Sequence, residues 1–241
     1  MNNLDIKTVA DAVTENIKTA DIFKKHGIDF CCGGGISIKK ACDKNNVDYD
    51  QVIKELLAID NDVNFMHDYT NWELDFLVDF IVNTHHKYVE ENIPLLKQYG
   101  AKVAKVHGHH YKELLEIEQL IYEISDELTV HMKKEELILF PFVKKMVQSN
   151  KDNETIAMPH FGTVDNPIKM MEVEHDDAGE AFRTIAKLTN NYTPPEGACN
   201  TFKALYAKLS EFETNLHQHV HLENNIVFPK AKKLEKTVFK G

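Results

Sequence analysis

The sequence predicts an all-α protein, an up-down antiparallel four-helix bundle preceded by a small helical N-terminal domain. Three observations carry this. Apolar residues recur at three- and four-residue spacing almost throughout, while the alternation of a half-buried strand is scarce. From Trp72 onward, long periodic stretches are separated by breaks, and short connections between long helices favour antiparallel neighbours. One segment also occurs twice. Residues 131–146 read HMKKEELILFPFVKKM and residues 219–234 read HVHLENNIVFPKAKKL. Aligned without a gap, they pair His131 with His219, Glu135 with Glu223, Phe140 with Phe228 and Pro141 with Pro229. His86 and His175 repeat at nearly the same offset, 89 residues against 88. The chain reads as two copies of a helical hairpin, each carrying one lone His and one His-x-x-x-Glu.

In chain order, short helical patterns fall around Thr8–Lys18, Asp21–His26, Ile36–Lys44 and Asp50–Ile59. Between the second and third lies the loop DFCCGGG, Asp29 to Gly35, whose glycines permit backbone conformations other residues avoid. The polar stretch 61–71 lacks helical periodicity and marks the expected boundary between an N-terminal domain, 1–62, and a bundle, 72–241. The four long helices are expected at 72–105, 109–148, 166–190 and 198–236. Asn71 is the expected cap of the first. Asp165 or Asn166 caps the third, with Pro167 in its first turn. Each Phe-Pro is expected to kink or end its helix, because a helical proline lacks the N–H of the ladder.

A chain of 241 residues is long enough for a buried core. Its formal net charge of −10, from 38 acidic and 28 basic residues, disfavours binding to a phosphate backbone. No nucleic-acid partner is expected. No stretch approaches the ~18 consecutive apolar residues of a membrane span. The opening residues, MNNLDIKTVADAV, do not resemble a secretory signal, and four cysteines are too few for a disulfide framework. The expected compartment is a reducing cytoplasm.

Residues four apart on a helix point the same way, so His131 projects with Glu135, and His219 with Glu223. If that face is buried, two carboxylates enter the bundle interior, where unpaired charge is very costly. Two carboxylates bridging two metal ions, with two imidazoles on each ion, would neutralise them. His86 lies 14 residues after Trp72 and His131 lies 17 before Gln148. At about 1.5 Å per residue their heights differ by only ~5 Å in an antiparallel pair. Mixed imidazole and carboxylate donors suit iron, with manganese second; zinc favours fewer ligands or thiolates. Taken singly, a lone His or one His-x-x-x-Glu is most often ordinary core or surface, and the duplication is what carries the argument. His85, His107, His109, His110, His217 and His221 read as surface groups or supports of the ligands. Glu90, four after His86, is a candidate seventh ligand without a counterpart, since position 179 is Gly.

Adjacent Cys31 and Cys32 read as a redox or metal-binding pair, because a vicinal disulfide is strained. The plain alternative is two small apolar residues packed in a tight turn. Cys42 is expected to be buried mid-helix.

At these residues the chain resembles the hemerythrin-like family, and within it the iron–sulfur cluster repair di-iron proteins. GIDFCCGG at 27–34 is similar to their short N-terminal domain. HMKKEELILFP, VEHDDAGE and HLENNIVFP are similar to their di-iron domain. The resemblance implies six ligands, His86, His131, Glu135, His175, His219 and Glu223, with Glu135 and Glu223 bridging two iron ions. It selects His86 over His85 because His86 sits eight before Pro94 in HHKYVEENIP. Oxygen-carrying hemerythrin carries a further His where this chain has Gly179, and an Asp five residues after its fourth-helix His where Glu223 follows at four. One imidazole fewer implies exchangeable coordination positions and more loosely held iron. The implied function is repair of iron–sulfur clusters damaged by nitric oxide or oxidative stress, by supplying iron, with Cys31 and Cys32 as redox or iron-transfer thiols. The implied partners are iron–sulfur client proteins, nitric oxide or dioxygen, and a second copy in a homodimer. The alternatives are a nitric oxide or peroxide reductase, which would be an enzyme in the turnover sense, and an oxygen or iron sensor.

Overall fold

The computed structural model describes residues 7–59 and 69–239. Most of the stretch expected to hold the domain boundary, 61–68 of 61–71, lies outside the described residues. Four short helices come first: α1 (Val9–Glu15), α2 (Thr19–Lys25), α3 (Ile38–Asn45) and α4 (Tyr49–Leu57). Local chemistry fixes their ends. Thr8 and Asp11 form a reciprocal capping box at α1, while Ser37 and Asp48 accept backbone N–H groups at the starts of α3 and α4. Each such cap satisfies a donor that the first helical turn leaves open. Among the described residues the extended pairing is a single bridge between Thr8 and Ser37.

The bundle consists of four rods, three of them interrupted. The first runs through α5 (Leu74–Ile81), a π turn (Val82–His86) and α6 (Lys87–His107). The second is α7 (Glu113–Lys134), a π turn (Glu135–Leu139) and α8 (Phe140–Asp152). The third, α9 (Asp165–Leu188), is unbroken, and the fourth is α10 (Asn200–Leu222), a π turn (Glu223–Val227) and α11 (Phe228–Val238). Two expected caps are corrected. Asn71 lies in a 3₁₀ turn (Tyr69–Asn71) and Glu73 occupies the cap of α5. Asp165 is already helical, behind Val164, whose N–H donates to the Glu235 carboxylate at 2.7 Å. Neither Phe-Pro ends its rod, because each proline enters the first turn of a new α segment just after a π turn, where its missing N–H costs least.

The apolar interior has two parts. One joins the N-terminal helices to the bundle half containing Leu96, Ile121, Phe182 and Phe212. The other fills the opposite half around Ile81, Phe140, Ile168 and Phe228. Between them lies a plane of buried histidines and glutamates. No helix among the described residues is long and apolar enough to cross a membrane.

The N-terminal helices are fastened to the fourth rod. Lys24 pairs with Glu213 at 2.7 Å, Thr14 Oγ1 meets His221 Nε2 at 3.2 Å, and Phe30 packs edge-on against His217 and His221. The three consecutive glycines at 33–35 are not used for left-handed backbone; Gly27, with φ of +66°, has that role. Gly34 is needed for a close approach, since a Cβ there would lie 2.4 Å from the Phe30 carbonyl oxygen.

Candidate metal centre

Each rod sends its polar residues to one level. His131 and Glu135 close α7 and open a π turn, and His219 and Glu223 do the same on the fourth rod. His86 ends the π turn of the first rod, and His175 projects from the unbroken α9. All six are essentially buried. Their donor atoms form two groups, His86, Glu135, His219 and Glu223, and His131, Glu135, His175 and Glu223, each within 4.8 Å. Both carboxylates belong to both groups. Within the groups, His86 Nε2 lies 3.1 Å from His219 Nε2, and His131 Nε2 lies 3.1 Å from His175 Nε2. Each pair of imidazoles therefore faces one point between the rods, with a carboxylate on either side.

The π turns explain how the same stretch of rod serves both the site and the core beside it. In a π turn residue i+5, rather than i+4, comes back over residue i. Phe140 and Phe228 follow Glu135 and Glu223 by five, and both are buried, at 2% and 0% exposure. Each then stacks on a ligand ring. Phe140 lies on His86 with centroids 5.9 Å apart, and Phe228 on His175 at 6.0 Å and 3°. Beyond the kink expected of each Phe-Pro, the phenylalanines form walls of the site.

A further set of groups orients the imidazoles. Glu136 accepts from His86 Nδ1 at 2.9 Å, Glu174 from His131 Nδ1 at 2.8 Å, and Asn224 Oδ1 from His175 Nδ1 at 2.9 Å. Lys133 and Lys134 pair in turn with Glu136 and Glu174. Every supporting group stands next to a ligand in the sequence yet serves a ligand on the preceding rod. His219 Nδ1 has no such partner. His85, from the first rod, stacks flat against His219 instead, with centroids 5.7 Å apart and 7° between planes. Its own Nδ1 meets Asn215 Oδ1 at 3.2 Å. His85 thus belongs to neither donor group, and Glu90 is an exposed partner of Lys133. Sequence reasoning misses Glu136, Glu174 and Asn224. The available signal is adjacency, an acid or amide beside a ligand.

The electrostatics call for cations. Burial works to lower the His86 pKa, but the Glu135 and Glu223 carboxylates override it and hold it at about 10. His131 is likewise raised to about 9, against burial, chiefly by Glu135. Burial and the mutual repulsion of the two carboxylates work to raise Glu135, and the imidazoles reverse this and bring it down. Protons on the imidazoles can thus balance the carboxylates: His86 and His131 Nε2 stand 3.4 and 3.3 Å from Glu135 Oε2, and His175 Nε2 stands 3.2 Å from Glu223 Oε2. Glu135 Oε1 remains buried without a hydrogen bond, an expensive condition for a carboxylate. Four imidazole nitrogens and two carboxylates converging on two points fit borderline transition-metal ions.

Cys31 and Cys32 lie apart from this set but close to it. Asn224 Nδ2 donates to the Cys31 carbonyl at 3.3 Å, and Asn225 Nδ2 to the same oxygen at 3.2 Å. Cys31 is buried and Cys32 half-buried, with their sulfurs 3.7 Å apart and free. Cys42 is fully buried within α3.

Residues 78–231 match the family described as the hemerythrin HHE cation binding domain, and residues 5–60 match a domain of unknown function (DUF542). The chain is similar to the iron-sulfur cluster repair protein YtfE of Yersinia pseudotuberculosis serotype IB (strain PB1/+), at 36% identity over 229 residues, 95% of this chain and 96% of that one. It is similar also to the protein of that name from Yersinia pestis (strain Pestoides F), at 37% identity over 214 residues, 89% of this chain and 91% of the relative.

Proposed function

Since this chain belongs to the hemerythrin HHE cation-binding family, and within it to the iron–sulfur cluster repair proteins, we propose that it repairs iron–sulfur clusters damaged by nitric oxide or oxidative stress, supplying iron from a labile dinuclear store. The observation that carries this is the sharing of Glu135 and Glu223 between both donor groups. His86 and His219 would hold one iron, His131 and His175 the other, with the two carboxylates bridging. When bound, the pair supplies exchangeable ferrous iron and a place for a small oxidant to react.

The protein's residues favour release over permanent storage. Gly179, four residues beyond His175, adds no imidazole, and a Cβ there would meet only Arg183. As iron leaves, His86 and His131 can take up protons beside the vacated carboxylates, in line with their raised pKa values. The two protons thereby balance the negative charge of Glu135 and Glu223. Cys31 and Cys32 would meet the client cluster, a redox partner or iron in transit. The same shortage of imidazoles favours a second reading, reduction of nitric oxide or peroxide at the open positions. The proposed setting is a cytoplasmic homodimer.

The test is metal analysis and Mössbauer spectroscopy of iron-57 protein purified without oxygen, followed by transfer to an apo iron–sulfur acceptor. Two spin-coupled irons per chain, lost in step with cluster formation, support repair by donation. A single zinc, or full transfer from Glu135→Ala or Glu223→Ala protein that still holds two irons, would overturn the bridged store. Multiple turnovers of nitric oxide with an electron donor and no iron loss would favour the second reading.

A further inference from the structure

The loop at Asp29–Cys32 has a geometry that the dinuclear centre does not explain. Asp29 Oδ1 accepts the N–H of Cys31 at 2.9 Å and of Cys32 at 3.0 Å, which curls the chain so that carboxylate and thiols face one another. The two sulfurs are 3.7 Å apart, and Cys31 Sγ is 3.4 Å from Asp29 Oδ1. A disulfide would need the sulfurs at about 2.05 Å. Two thiolates at about 2.3 Å from one tetrahedral ion stand ~3.8 Å apart, and a carboxylate oxygen at about 2.1 Å from that ion stands ~3.6 Å from either sulfur. The sulfur–sulfur spacing and the spacing of Cys31 Sγ from the carboxylate are those of ligands of one ion, and Cys32 Sγ stays within 4.8 Å of the carboxylate.

We propose that Asp29, Cys31 and Cys32 form a second, mononuclear site for a thiophilic divalent cation, of the ferrous or zinc class, separate from the dinuclear centre. The donors lie within 4.8 Å of one another. Two thiolates with one carboxylate select against magnesium and calcium, which prefer all-oxygen shells. With only three protein ligands, a fourth position stays open to water or to a client's thiolate. A cavity of about 770 Å³, lined by Asp29, Cys31, Arg183 and His217 among others, gives access. The site is held still from behind, because Asn224 and Asn225 both grip the Cys31 carbonyl. Asn224 also ties it to the dinuclear centre through His175, and its Nδ2 is 3.9 Å from Cys32 Sγ.

The Cys32 thiol alongside, then burial and the Asp29 carboxylate, hold the Cys31 thiol well above the ordinary thiol range. The proposal deepens the reading of these thiols as transfer groups and rests on it only for where the ion goes next.

Cobalt(II), titrated anaerobically into the iron-loaded full chain, tests it. The expected result is one further equivalent of metal, a thiolate-to-cobalt charge-transfer band, and two sulfur neighbours at about 2.3 Å by X-ray absorption at the cobalt edge. Cys31→Ser/Cys32→Ser protein should keep its iron-57 spectrum and lose both the extra equivalent and the band. Asp29→Asn, whose Oδ1 can still accept both N–H groups, should keep the fold and bind cobalt more weakly. Equal cobalt uptake by wild type and the double variant overturns the site, as does a cobalt shell of nitrogen and oxygen alone in wild type. The latter needs no variant to fold. Absence of a dinuclear iron spectrum before cobalt is added, with the cobalt band intact, would instead count against the store and leave this site standing.

Discussion

Three of the four buried imidazoles that face the candidate metal positions are steered by groups adjacent, in sequence, to other members of the set. Glu136 follows Glu135 but holds His86, Glu174 precedes His175 but holds His131, and Asn224 follows Glu223 but holds His175. The second, third and fourth rods thereby each fix the ring orientation on the rod before. Supports of this kind typically contribute 10–100-fold to metal affinity. Asn224→Ala should accordingly weaken metal binding by about 10–100-fold with little change in the far half of the bundle; competition against a chelator of known affinity measures it. Unchanged affinity would show that His175 needs no orienting partner. The buried His and Glu donors are legible in the sequence because they repeat, whereas the groups that orient them are not. His86 and Glu136 lie 50 positions apart, and nothing in a linear pattern pairs them. The choice between His85 and His86 is a one-residue question that only the phase of the first rod answers.

At the scale of elements, the π turns are the least legible feature. Apolar periodicity predicts four rods with ends correct to a few residues, but a single-residue phase shift inside a rod falls within that uncertainty. Its trace is Phe140 and Phe228, buried five residues after a buried glutamate, a spacing an unbroken α-helix would send to another face. Phe228→Ala should destabilise the folded protein by roughly 3–5 kcal/mol, the usual cost of emptying a buried aromatic site, measured by denaturant unfolding. It should also broaden the His175 ring signals that stacking now fixes. Among the small N-terminal helices, Glu55 ties α4 to Lys25 and His26 at the end of α2. Its Gln51 hydrogen bond, then Lys25 and His26, lower its pKa from 4.5 to about 2. Because the folded value lies below the unfolded one, this contribution is complete above about pH 4.5 and disappears as pH falls toward 2. Wild-type and Glu55→Gln stabilities should thus differ near neutral pH and converge in acid; a constant gap across that window would refute the role given to Glu55.

The molecule as a whole is two apolar bodies joined through a plane of six buried polar side chains. Metal bound there stabilises the fold by mass action, by about 2.7 kcal/mol at a free concentration of one hundred times the dissociation constant. Chelation should lower the melting temperature in proportion; an unchanged melting temperature would mean that the plane is as stable filled with protons as with metal. The plane also governs how the two bodies fail. With metal, rods crossing it are pinned at one level and both bodies melt together. Without metal, what joins them is four helical rods, three of them broken by a π turn at that very level. The metal-free chain should therefore unfold as two independent units, with a calorimetric enthalpy larger than the van't Hoff value, and the loaded chain as one, with the two equal. Cooperativity in this protein would then be a property conferred by its cargo.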